Sequence, residues 1–192
     1  MKREEKVSVR RAGIVEAALG CFLQQGFHQA SMRDIAAAAG VSLGNLYNHF
    51  PSKEALIMEI AQVESDELEP MLAALEQEAP LDALLGFARG YLHWCSSVEN
   101  AVLTSEVIAE AARRPDLAQL FALNRKHLCK ALADTIRRGV QDGTVDGAIP
   151  SAALADVLLD AIEGHALRAM LFTPPAGGAK ALLPVLRKLL TP

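Results

Sequence analysis

No stretch of this 192-residue sequence approaches the run of about 18 apolar residues that a membrane span needs. Its first ten residues carry no apolar core of a secretory leader, so the chain is expected to stay in the cytoplasm with no membrane partner. Aromatic residues supply only 5% of the chain and strand-favouring residues are sparse, while Ala and Leu dominate a composition that is 51% apolar. That balance argues against a sandwich or barrel and predicts an all-α fold. The three cysteines, Cys21, Cys95 and Cys129, are odd in number and far apart. Without a CxxC pair or a His/Cys cluster they exclude a disulfide frame and predict no metal site. Each lies on an apolar helical pattern and reads as a buried structural residue. Also missing are GxSxG, a P-loop, a dinucleotide fingerprint, HExxH and a Cys/His nucleophile pair. Glu163 and His165 lie two apart, on different faces of a helix, and make a poor acid–base pair. The sequence therefore predicts no catalytic residue and no cofactor, and an all-helical enzyme is the least favoured class.

What is present is an asymmetry. The net charge is −4, which by itself speaks against a nucleic-acid partner. Residues 1–53, however, hold seven Lys/Arg against four acids, and the remainder holds twelve against nineteen. A basic head on an acidic body is the expected charge pattern of a chain whose two ends meet different partners.

The head reads as three short helices. The first spans about Val9 to Gln25, with Ile14, Ala18, Cys21 and Phe22 on one stripe and Gly26 as its stop. Ser31 and Asp34, three apart, form a capping-box signature for a second helix that buries Ile35, Ala36 and Ala39 and ends at Gly40. Ser42 caps a third helix, Pro51 forbids its continuation, and Ser52 caps a fourth that begins Lys53-Glu54. Residues 31–50 thus spell helix, tight turn, helix, with the second helix as candidate reader of a DNA major groove. Val41, Leu46 and Phe50 can anchor that helix, which leaves Leu43, Gly44, Asn45, Tyr47, Asn48 and His49 on its other side. Asn pairs with adenine edges, Tyr and His donate to phosphate oxygens, and Leu meets a thymine methyl. Gly44 removes a side chain that would hold the backbone off the groove.

Beyond the head, helical spacing predicts six more helices. The fourth carries Leu56 to Leu75, with Pro70 expected to kink or end it. A fifth runs from Leu81 to Cys95, a sixth from about Asn100 to Arg113, and a seventh from about Asp116 to Gln141. Ser151 is expected to cap an eighth reaching Phe172, and TPPAGG separates it from a ninth ending near Leu190. The expected division is a head at residues 1–52 and a body at 53–192, connected by helix four over 53–78.

The sequence resembles the TetR/AcrR family of transcriptional regulators. The residues that carry the resemblance are Ile14, Ala18, Phe22, Gly26-Phe27, Ser31 to Ala36, Ala39 to Ser42, Gly44, Leu46-Tyr47, His49-Phe50 and Ser52 to Leu56. They cover residues 10–60 without a gap; the rest agrees only in being helical and of suitable length. The resemblance implies a homodimeric, ligand-responsive repressor. Its two heads would sit in successive major grooves of a near-palindromic double-stranded operator, with half-sites roughly 34–36 Å apart. It implies phosphate contacts for Ser31, Tyr47, His49 and Lys53, and base-edge contacts for Arg33, Leu43, Gly44, Asn45 and Asn48. Met32 and Ser42 complete the implied interface; Met32 and Leu43 stand where other members often carry polar residues. Arg10 and Arg11 would reach backbone or minor groove, or belong to a solvated tail.

In the body, helix eight is rich in small residues and helix nine is apolar nearly all round, which predicts burial on more than one side. The family pairs these helices across a two-fold axis, and Leu158, Ile162, Ala169, Leu182, Leu186 and Leu189 are the expected dimer contacts. Helices four to eight would enclose a mostly apolar cavity for an unidentified small-molecule inducer. Tyr91, Trp94, Phe121, Asn124, His127 and His165 are its candidate lining. Glu106 and Glu163 read as solvated or salt-bridged carboxylates, or as groups recognising a cation. A ligand that shifts helix four would change the spacing of the two heads. The remaining alternative keeps the DNA-binding head and uses the body only for dimerisation or partner assembly.

Overall fold

Nine helices, and no strand, make up the described residues of the computed structural model, which are 2–171 and 178–192. Helix α1 (Lys2–Gln25) begins seven residues before the expected Val9, since neither Gly nor Pro interrupts the chain there. It is followed by α2 (Met32–Ala38), α3 (Leu43–His49) and α4 (Lys53–Gln77). Then come α5 (Pro80–Cys95), α6 (Val98–Ala111), α7 (Pro115–Gln141), α8 (Ser151–Leu171) and α9 (Gly178–Leu190). Pro70 does not end α4. The proline has no N–H for the Asp66 carbonyl, yet Leu68 and Leu72 on either side are both buried and hold the turns together. Ser151 is the first residue of α8 rather than its cap, with Leu154 N–H donating to the Pro150 carbonyl. Phe172, the expected end of that helix, lies outside the described residues.

The chain divides into two compact units, and the division falls elsewhere than the expected 52/53 boundary. The first comprises residues 1–66 together with Glu106–Leu117. Its core holds the expected α1 stripe (Ile14, Ala18, Cys21, Phe22) with Ile35, Ala36, Leu46, Phe50, Leu56, Ile57 and Ile60, all buried. Phe22 meets Phe27 edge-on at 5.3 Å, just after Gly26 turns the chain at φ +80°. Residues 106–117 join this unit through polar contacts. The Glu106 carboxylate accepts the Phe27 N–H at 3.0 Å, and buried Glu110 lies 2.5 Å from His28 Nε2. Arg114, after α6, bridges Glu54 at 2.8 Å and Asp116 at 2.7 Å. Glu106 is thus a cap on the α1–α2 turn, not a solvated group or a ligand carboxylate.

The second unit comprises Glu67–Ser105 and Ala118–Pro192. Here α8 and α9 pack on α5 and on each other. Phe87 and Tyr91 are buried with Leu132, Ile136, Leu154, Leu159 and Leu190. Three of the expected dimer contacts belong to this core: Leu158, Ile162 and Leu186 are each no more than 3% exposed. The face of α8 that carries Leu158 and Ile162, four apart, continues through Leu154 and Ala166 into its own subunit. Ala169, Leu182 and Leu189 are half-buried. Among the described residues of α8 and α9, the large apolar side chains left in the open are Val157, Met170 and Val185; Val98, Leu123, Val140 and Ile149 are exposed elsewhere in this unit.

Candidate nucleic-acid interface

The geometry of the head starts from its caps. The Ser31 hydroxyl accepts the Asp34 N–H at 3.2 Å, while the Asp34 carboxylate accepts both the Ser31 N–H and its hydroxyl. Those bonds, the hydroxyl's first, hold the Asp34 carboxyl below its ordinary value. Gly40, at φ +63°, lets the chain turn out of α2, and Ser42 then caps α3 by accepting the Asn45 N–H at 3.2 Å. Ser52 accepts the Ala55 N–H in the same way at the start of α4.

These caps fix which side of α3 faces out. Leu46 and Phe50 are buried, and Val41 is half-buried. Gly44, Asn45, Tyr47 and Asn48 are exposed, with Leu43 and His49 half-exposed beside them. Ser31, Arg33 and Ser42 are exposed, and Met32 is half-buried. A β-carbon on Gly44 would meet nothing within 4 Å. No packing inside the protein asks for glycine there.

Two basic residues are placed otherwise than the sequence suggests. Lys53, half-exposed, turns onto the segment 27–30: its ammonium donates to the carbonyls of Phe27, His28 (3.1 Å) and Ala30 (3.0 Å) and lies 4.4 Å over the Phe27 ring. An ammonium has three N–H groups, so none remains for a phosphate. Burial also lowers its pKa, against the opposing charges of Glu54 and Glu110. Arg11 is neither a tail nor an open cation. Its guanidinium takes both oxygens of Glu59 at 2.7 Å, donates to the His49 carbonyl at 3.0 Å and lies 4.2 Å over the Phe50 ring. The bond to Glu59 comes first among the causes that raise the Arg11 pKa and lower that of Glu59. Partners 38 and 48 residues apart leave no local pattern from which this could be read.

The candidate effector residues divide. Tyr91 is buried, stacked between Phe87 (5.2 Å) and Trp94 (5.9 Å), and donates its hydroxyl to Glu163 at 3.0 Å. Trp94 Nε1–H donates to Glu67 at 3.1 Å. Arg125, which sequence reasoning missed, pairs with Glu163 at 2.9 Å and Asp160 at 2.6 Å. Asp156, Asp160 and Glu163 recur along one face of α8, a spacing that could have announced such a partner. Burial raises the pKa of Glu163 despite Tyr91 and Arg125, and pushes the Cys129 thiol beside Asp156 up to about 11. Phe121, Asn124 and His165 are half-buried. His127 is exposed and lines an open groove of about 270 Å³ with Glu76, Lys130, Asp134, Thr135 and Arg138. That groove is charged, unlike the apolar cavity expected for it.

Residues 14–60 match the family model described as bacterial regulatory proteins, tetR family. Residues 96–190 match that of the BetI-type transcriptional repressor, C-terminal. The HTH-type transcriptional regulator UidR of Escherichia coli is 30% identical over 155 residues, 80% of this chain and 78% of its own. The structure of Salmonella enterica GusR superposes with a TM-score of 0.76 at 26% identity, covering 94% of this chain and 95% of that one. That of FadR from Bacillus subtilis in complex with stearoyl-CoA gives 0.77 at 19% identity, covering 93% and 96%, a likeness of fold alone. UidR and FadR are by name transcriptional regulators, not enzymes. The chain belongs to the tetR family of bacterial transcriptional regulators.

Proposed function

We propose that this regulator is a cytoplasmic repressor that binds a near-palindromic operator as a homodimer and leaves it when a small organic effector binds the body. The observation that carries the reading is α3 itself. A seven-residue helix gains little stability alone, yet it is capped and buried through Leu46 and Phe50 so that Asn45, Tyr47 and Asn48 stand in the open. Arg33, Leu43, Asn45 and Asn48 then read base edges, Gly44 lets the backbone approach, and Ser31, Tyr47 and His49 hold phosphates. Met32 and Ser42 border that surface. Lys53 contributes only its charge.

The second copy covers the apolar groups left exposed on α8 and α9, namely Val157, Met170 and Val185, with Ala169, Leu182 and Leu189 at their edge. The effector reading is supported by the stacked rings of α5 beside the Tyr91–Glu163–Arg125 bonds, a combination of apolar area with a few aimed polar groups. The test is selection of duplexes from a randomised pool by the full chain, followed by footprinting and anisotropy. The expected result is an inverted repeat with half-site centres about 34–36 Å apart. Arg33→Ala and Asn45→Ala should each lose about tenfold or more in affinity for it. Enrichment of no sequence, or affinities unmoved by both substitutions, overturns the reading.

A further inference from the structure

We propose that Arg11 is the positioning residue of the recognition helix: it touches no DNA, and through Glu59 it sets the angle at which α3 is presented. This rests on the operator-binding reading above. The argument begins with what α3 lacks. Seven residues leave its final carbonyls without helical partners, and Phe50, at φ −137°, has already left the helix. Arg11 supplies both the missing donor and a cation at the negative end of the helix, by its bond to the His49 carbonyl.

The guanidinium is in turn fixed on three sides. Glu59 of α4 holds Nε and Nη2 in a bidentate pair at 2.7 Å, and the Phe50 ring lies beneath at 4.2 Å. A single planar group thereby ties α1, the end of α3 and α4 together, immediately behind Tyr47, Asn48 and His49. A rod of seven residues is about 10 Å long, so a tilt of about 10° at one end moves the other by nearly 2 Å. That is enough to take an amide–adenine pair out of hydrogen-bonding distance.

A phosphate contact by Arg11 would predict different behaviour, and the two are separable. The full chain and its variants are titrated against the duplex that wild type enriches from a random pool, and against a shuffled duplex of equal composition. Both are measured over a range of salt concentrations, with the folded fraction monitored by circular dichroism. If Arg11 positions α3, Arg11→Ala weakens the enriched duplex by about tenfold or more while the shuffled duplex changes less than about twofold, and the salt slope stays put. Glu59→Gln then weakens the enriched duplex as well, although it removes a negative charge. Arg11→Lys restores only part of the loss, because one ammonium cannot hold a carboxylate bidentately and a carbonyl together. If Arg11 instead meets phosphate, its loss lowers the slope by about one and weakens both duplexes alike, and Glu59→Gln tightens binding by freeing it. Either of those results overturns the proposal. So does equal loss on both duplexes in step with the folded fraction, which marks a merely structural role. Should wild type enrich no duplex, the operator-binding reading fails first and takes this one with it.

Discussion

Gly44 separates stability from function more sharply than any other residue of the head. It lies inside α3, is exposed, and has open space where a β-carbon would stand. Within the free protein Gly44→Ala therefore meets no clash and gains helix propensity, about 0.5–1 kcal/mol. For a chain of this size that raises the melting temperature by roughly 1–4 °C. On DNA the sign reverses. A methyl carbon needs about 3.5–4 Å from its neighbours, whereas a backbone group closing on the groove wall comes nearer than that. Backing α3 off by about an ångström loosens each contact around it, and a loss of about 10- to 100-fold corresponds to roughly 1.4–2.8 kcal/mol. The assay pairs thermal unfolding with anisotropy on a duplex selected by wild type. Gly86→Ala on α5, also helical, exposed and open, is the control and should stabilise without moving affinity. A Gly44→Ala protein that is stabilised and binds as tightly as wild type refutes the close approach of α3 to the groove. One that is destabilised refutes the reading of open space.

Three further outcomes follow from the bonds described. Lys53→Met deprives three carbonyls of their donor and should destabilise the head by about 1–3 kcal/mol in urea unfolding. The salt slope of DNA binding should stay within error, whereas a fall of about one would restore Lys53 as a phosphate contact. Tyr91→Phe leaves one oxygen of Glu163 without its donor and should lower the stability of the body by about 1–3 kcal/mol, with unchanged urea resistance as the refuting result. The carboxyls of Asp34, Glu54 and Glu59 are all held below their ordinary values. Their contribution is therefore complete above the unfolded range near pH 4 and is lost as pH falls through the depressed folded values. Unfolding midpoints measured between about pH 6 and 3 should drop, and Glu59→Gln should flatten the drop; a flat wild-type profile sinks the assignment.

The parts of the head that were legible in the sequence are those whose causes are local. A capping box needs residues three apart, and Ser31 and Asp34 announce it; a left-handed stop needs a glycine, and Gly26 and Gly40 supply it. The pegs of α3, Leu46 and Phe50, are four apart and turned out buried. What escaped the reading is what long-range pairing decides. Lys53 has the position of a phosphate contact but its donors are spent within the protein, because the turn at 27–30 brings it three carbonyls. Residues 106–117 fall in the stretch expected for the body, and Glu106, Glu110 and Arg114 tie them to the first unit across gaps of up to 82 residues. In the body, α8 carries apolar residues on more than one side, which hides the side that is inward. Leu158 and Val157 are adjacent and equally greasy, and one is core while the other is open.

That contrast has a physical root in the size of α3. A helix of seven residues cannot hold its own orientation, so its sequence encodes what it shows to DNA and almost nothing of where it points. Orientation has to be stored elsewhere, in groups that reach it from longer helices. The first unit stores it in apolar contacts at Leu46 and Phe50 and in one directional bond, from Arg11 to the His49 carbonyl. Apolar contacts tolerate small rotations, whereas a bidentate ion pair with a fixed plane does not. Discrimination between operators should therefore be more sensitive to Arg11 and Glu59 than to conservative changes at Leu46. A Leu46→Met protein with wild-type specificity beside an Arg11→Lys protein without it is the pattern this asymmetry requires.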